Sequence, residues 1–203
     1  MIRMVAMWGT GGIGNYQIAL GYARQRWNSG ASVVLWIYSE TEGEVAKSFE
    51  KRQRNYNPMG IQRQTPRTKT VIYSSNGCKQ QTKRLVIFDN VEDDKVLTGN
   101  QPKVGQRGVL ITCRSKLLAE STAMFSMEVT TLSTQESTSL ILQILDRAAV
   151  NSEEAQAAAS LSKKFGGLAL AIVSITKNIK ASRRFNDNKE FLPYYEENRR
   201  ALR

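Results

Sequence analysis

The densest chemical signal in the chain is the run Gly9-Thr10-Gly11-Gly12-Ile13-Gly14. Glycines have no Cβ, so successive backbone N–H groups can turn toward one anion, and a helix starting just beyond them adds the positive end of its dipole. The chemistry this serves is phosphate binding. Gly9 and Gly14 have the spacing of G-x-x-x-x-G-K-[ST], in which the lysine reaches the outer phosphates and the hydroxyl holds Mg²⁺. Here those last two positions are Asn15 and Tyr16. Losing one charge-assisted contact costs about 1.5–3 kcal/mol, roughly tenfold to a hundredfold in affinity. A tyrosine ring also stands where the metal's small hydroxyl belongs. The loop therefore reads either as a weakened phosphate cradle or as a glycine turn that only lets a strand and a helix pack closely.

The surrounding elements are those such a loop needs. Residues 2–8 form a strand pattern that runs into the loop, and Ile18, Ala19, Tyr22, Ala23 and Trp27 recur at helical spacing after it. Residues 32–38 are a nearly continuous apolar, β-branched and aromatic run, as expected of a strand covered on both faces. The stretch Ser39-Glu40-Thr41-Glu42 fits a capping box opening a helix to about residue 51. Buried strands are predicted over 84–88, ending at Asp89, and over 108–112, ending at Arg114, with another over 127–132. Ser133 and Glu136 cap a helix with Leu140, Ile141, Ile144, Leu145 and Ala148 on one face. Helices follow to about Phe165, from Leu168 to Lys180 and over 191–202. The pattern predicts an α/β fold with a mainly parallel sheet over 1–132 and a small helical annex over 133–203.

Composition removes several chemistries. There is no histidine, which excludes histidine bases, triads and metal ligands. The two cysteines, Cys78 and Cys113, lack metal-ligand spacing and fit reduced thiols in an intracellular, cytoplasmic protein. No apolar run is long enough to span a bilayer. The net charge of +11 is concentrated. Nine basic residues and no acid lie between Lys51 and Arg84, so the rest of the chain is close to neutral.

Five segments, in order, resemble the NB-ARC/NACHT class of signalling ATPases (the STAND, NLR-like proteins, particularly those of filamentous fungi). Val5 to Gly14 with Gln17-Ile18-Ala19-Leu20 resembles the family's P-loop, and Val33-Val34-Leu35-Trp36-Ile37 its second strand. Leu85-Val86-Ile87-Phe88-Asp89-Asn90-Val91 looks like the Walker B strand, and Val109-Leu110-Ile111-Thr112-Cys113-Arg114 like the sensor strand. Gly166-Gly167-Leu168-Ala169-Leu170-Ala171-Ile172 resembles the Gly-Leu-Pro-Leu-Ala motif. The resemblance covers about 4–50 and 84–202. It implies a three-layer P-loop NTPase fold and an ADP/ATP site with Mg²⁺, in which Gly9, Thr10, Gly11, Gly12, Ile13, Gly14, Asn15 and Tyr16 surround the phosphates. Asp89 would hold Mg²⁺ through water, and Arg114 would sense the γ-phosphate. Asn90 replaces a second acid found in many relatives, and Ala169 replaces the proline set against adenine. The preceding loop and the winged-helix domain of the family have no counterpart, so much of the pocket is expected to be missing.

Three functions remain in competition. The first is a degenerate nucleotide-binding module that holds ADP or ATP weakly or not at all. It would not be expected to catalyse hydrolysis, and would signal through protein partners such as full-length NLR-like relatives. The second is a nucleic-acid-binding protein using the basic residues of 51–84, with Tyr56 and Tyr73 stacking on bases. The solvated or disordered insert about 52–83, or a coding irregularity there, is the plainer explanation of that charge. The third is a non-functional fragment of a larger NLR-like protein.

Overall fold

The computed structural model describes residues 2–31, 33–54, 73–74, 84–98, 100, 107–146 and 152–181. Most of the basic run, Cys78 and the helix expected over 191–202 lie outside them. Two compact units are present. One contains Met1–Gly11 and Asn15–Val129, the other Gly12–Gly14 and Thr130–Arg203.

The first unit is a six-stranded sheet flanked by helices. Its elements run β1 (Ile2–Trp8), α1 (Asn15–Asn28), β2 (Val33–Tyr38), α2 (Glu42–Arg54), β3 (Tyr73–Ser74), β4 (Arg84–Val91), β5 (Arg107–Cys113), α3 (Lys116–Thr122) and β6 (Phe125–Glu128). The strand order is β3-β2-β4-β5-β1-β6, and every pair is parallel except β2 with β3. The predicted α/β fold is the one found. Alternation along β4 shows how the layers form. Leu85 and Ile87 pack with Met7, Val34, Trp36 and Leu110 against Ala19 and Ala23 of α1. Val86 and Phe88 face the other way, with Ile37 and Ile111, toward Val45 of α2 and Ala119 of α3. Burial on both faces is why these strands are apolar almost throughout.

Strand order also fixes where a ligand would bind. From β1 the chain moves to β2 on one side, while β6 lies on the other, so the order reverses between β1 and β5. In open α/β sheets, ligands bind outside the carboxyl ends of the strands at such a reversal. The glycine loop follows β1, and Arg114 follows β5.

Two local expectations change. The cap of α2 is Thr41, whose hydroxyl accepts from the Glu44 N–H at 3.2 Å, rather than Ser39. Ser39 is fully buried; its hydroxyl donates to the Ile37 carbonyl and its N–H to that of Asp89. The last strand is Phe125–Glu128 rather than 127–132. It pairs with Val5 to Trp8 at the sheet edge with every residue exposed, so there was no burial alternation to read.

The second unit contains α4 (Thr134–Ile144), α5 (Ser152–Lys164) and α6 (Ala169–Ala181). The Ser133–Glu136 capping box forms in full. Ile141, Ala158, Leu161, Ile172 and Ile179 make the core. Between α5 and α6 the chain turns on Gly166 (φ 59°) and Gly167 (φ 69°). A Cβ at Gly167 would run into the Leu132 carbonyl, which accepts no substitute position because the Leu132 N–H is itself bonded to the Gly167 carbonyl at 2.9 Å. At Gly166 a Cβ would meet open space. Gly166→Ala should therefore cost only the left-handed strain, about 1 kcal/mol, and Gly167→Ala about 3 kcal/mol or more. Urea unfolding followed by circular dichroism measures both, and equal losses would contradict this packing.

Candidate functional site

The loop is held at both shoulders by one acceptor. The Cys113 carbonyl, at the end of β5, takes the Gly9 N–H at 3.3 Å and the Asn15 Nδ2 at 3.2 Å. Asn15, at the position where the G-x-x-x-x-G-K-[ST] spacing has lysine, thus fastens the start of α1 to the sheet. Its Oδ1 is buried without a partner. Gly12 (φ 82°) and Gly14 (φ 116°) have backbone conformations that L side chains rarely adopt. Among the described residues, no N–H from Thr10, Gly11, Gly12, Ile13 or Gly14 donates a hydrogen bond within its own unit. Within the second unit the Gly12 carbonyl accepts the Leu170 N–H at 3.0 Å, which occupies one of the donors left over in the first turn of α6.

Arg114 comes beside the loop, since a Cβ on Gly11 would lie 3.9 Å from its Nε. The guanidinium is 63 % exposed and pairs with Glu92 at 3.8 Å, a loose surface contact that leaves it largely solvated.

Asp89 is set back from solvent at the carboxyl end of β4, only 6 % exposed. Its carboxylate accepts the Thr112 hydroxyl at 2.7 Å, and Thr112 Oγ1 accepts the Asn90 N–H at 2.8 Å. Asn90, at φ 58°, marks a one-residue irregularity in the pairing of β4 with β5. Burial pushes the Asp89 carboxyl above its ordinary range, and the polar groups of Thr112, Trp36 and Asn90 partly offset this. The Trp36 indole N–H faces the carboxylate without forming a hydrogen bond of good geometry.

Tyr16 closes this group. Its ring meets that of Trp36 edge-on, with centroids 5.1 Å apart and an interplanar angle of 64°. Its hydroxyl bonds with that of Tyr38, whose own ionisation is pushed well above the usual tyrosine range, by burial first and then by Tyr16 and Asp89. Sequence reasoning missed Trp36, Tyr38 and the Cys113 carbonyl. The aromatics were hidden in an apolar run that looked like core alone, although Trp36 and Tyr38 stand opposite Ile87 and Asp89 in the register.

The metal of such loops is held by a small hydroxyl after the last glycine and by the carboxylate of the neighbouring strand. The residues present do not fit it. Position 16 carries a phenol already bonded to Tyr38, and Asp89 is buried and engaged by Thr112.

Comparison with known proteins places the fold. No protein-family model matches the sequence, and no curated protein does. Two single-substitution variants of RuvB from Thermotoga maritima match in structure at TM-scores of 0.53 and 0.52, with 11 % and 12 % identity. Each match covers 88 % of this chain and 55 % of the RuvB chain, so the chain spans about half the length of the structures it resembles. The AAA domain of FIGL-1 in complex with ADP matches at 0.46 and 13 % identity, over 88 % of this chain and 59 % of that one. The RuvB likeness shows an α/β fold of the P-loop NTPase type. Among the described residues no helix is long and apolar enough to cross a membrane.

Asp89 gives a prediction with a definite sign. Its folded pKa lies above the unfolded value near 3.8, so its contribution favours the fold below that pH and is lost as pH rises through the folded pKa. Asp89→Asn can still accept from Thr112 and carries no charge. It should unfold at a higher temperature than the wild type near neutrality, and the advantage should fade as pH falls toward 3.8. A less stable variant at neutral pH would show that the ionised carboxylate is instead a stabilising group.

Proposed function

We propose that this chain is a degenerate nucleotide-binding module of the NB-ARC type, holding ADP or ATP weakly at most and working in intracellular signalling through protein contacts, with full-length relatives as natural partners. The observation that carries this reading is the glycine loop that leaves β1 at the sheet's reversal point, with Thr10 and Gly11 N–H groups that donate no hydrogen bond among the described residues, and with Asn15 and Tyr16 where lysine and a metal-binding hydroxyl would stand. The fold supports a nucleotide-binding ancestry. The ordered motifs ending at Asp89, at Arg114 and in Gly166 to Ile172 support the NB-ARC assignment specifically. Hydrolysis is no part of the proposal, because Asn90 is a poor base and the lysine that would meet the transferring phosphate is absent.

Restoring the missing groups tests it. Asn15→Lys removes one hydrogen bond to the Cys113 carbonyl, a loss of about 1 kcal/mol. It returns a charge-assisted phosphate contact of about 1.5–3 kcal/mol, so the gain exceeds the loss. Combined with Tyr16→Thr, it should tighten binding of a fluorescent ADP analogue by roughly tenfold or more in a titration with Mg²⁺. A double variant that binds no better than the wild type would remove the loop from consideration as a nucleotide site.

A further inference from the structure

We infer that the place of a divalent cation beside Asp89 has been taken over by Tyr16, Trp36 and Tyr38, so that the loop holds a nucleoside diphosphate or triphosphate without Mg²⁺. The inference rests on the reading of the loop as a phosphate site and concerns how that site neutralises charge.

Four elements supply the cluster. Tyr16 comes from the first turn of α1, Trp36 and Tyr38 from β2, Asp89 from β4 and Thr112 from β5. In the parallel register Tyr38 stands opposite Asp89, and Trp36 and Tyr38, two residues apart, point to the same face of the sheet. The start of α1 closes over that face with Tyr16. A serine or threonine at this position would present its oxygen close to the backbone. Tyrosine carries its oxygen a full ring further out, where it is bonded to Tyr38. Its ring is packed edge-on against Trp36, which is only 2 % exposed, while Tyr16 itself keeps 38 % of its surface in solvent.

The oxygens that remain are poor ligands for Mg²⁺. That ion demands near-octahedral oxygen coordination, gives up water reluctantly and normally keeps several waters. Asp89 is almost wholly buried, one of its oxygens is committed to Thr112, and the Trp36 N–H faces it. Tyr38 is held protonated by its surroundings and so is no anionic ligand. What is available to an anion is of another kind. The N–H groups of Thr10 and Gly11 donate nothing among the described residues, the start of α1 contributes its dipole, and the Arg114 side chain is largely exposed beside Gly11. Amides and one guanidinium replace lysine and metal.

The test uses the full chain. Mn²⁺ stands in for Mg²⁺ and broadens the nuclear resonances of groups near it. Adding Mn²⁺ to the ¹⁵N-labelled protein should leave the Trp36 indole resonance sharp in the wild type and in Tyr16→Phe, and broaden it in Tyr16→Thr. Separately, the affinity for fluorescent ADP should agree to within about twofold in Mg²⁺ and in EDTA. Broadening of Trp36 in the wild type overturns the inference, as does an affinity that falls about tenfold or more in EDTA. An unbroadened Tyr16→Thr that remains folded also overturns it, since the ring would then not be what excludes the ion. If Tyr16→Thr does not fold, wild type and Tyr16→Phe decide. Absence of ADP binding in both media would defeat the nucleotide-site reading instead, and the Mn²⁺ spectra would still decide whether the cation's place is filled.

Discussion

One carbonyl oxygen, that of Cys113, receives the N–H of Gly9 from one side of the glycine loop and the side-chain amide of Asn15 from the other. The loop leaves β1 and enters α1, and both connections are fixed to the end of β5. Because β5 is hydrogen-bonded to β1 on one side and β4 on the other, this one acceptor ties the loop to the strands that carry Asp89 and Arg114. Without it the glycines would be free to adopt many conformations, and their amides would have to be ordered at the expense of any ligand's affinity. The clasp gives Asn15 a structural task of its own, that of shaping the backbone at the start of α1.

The second constraint is the burial of Asp89. A carboxylate this far from water, with its pKa raised by burial, is a costly group to keep, and Thr112 offsets only part of the cost. Such a residue is hard to account for as packing alone, since an apolar side chain of similar size would be better there. Tyr16, Trp36 and Tyr38 close over Asp89 with apolar contact and a pair of phenols.

Much of this was legible in the sequence because the strands are buried on both faces and so appear as unbroken apolar runs ending in a polar residue. The strands expected over 2–8, 84–88 and 108–112 followed from that, although β4 runs on to Val91 and β5 to Cys113, and so did the capping of α4 by Ser133, whose box is local and self-contained. The edge strand was misplaced because Phe125 to Glu128 are all exposed and carry no pattern. The cap of α2 was misplaced because Ser39 and Thr41 are equally good caps by type, and only the burial of Ser39 against Ile37 and Asp89 separates them. The site's new chemistry was the least visible. That Tyr16 reaches Trp36 depends on α1 lying across β2, which β5 and β4 separate from β1 in the sheet, and nothing near either residue in the chain announces it.

The claim on which the rest depends is that the amides of the glycine loop are directed at an anion. Titrating the ¹⁵N-labelled protein with inorganic pyrophosphate and following each backbone amide measures this directly. Saturable downfield shifts at Gly11, Gly12 and Gly14, with Arg114 responding alongside, are the predicted result. Shifts confined to the basic residues between 51 and 84, with the loop glycines unmoved, would contradict it.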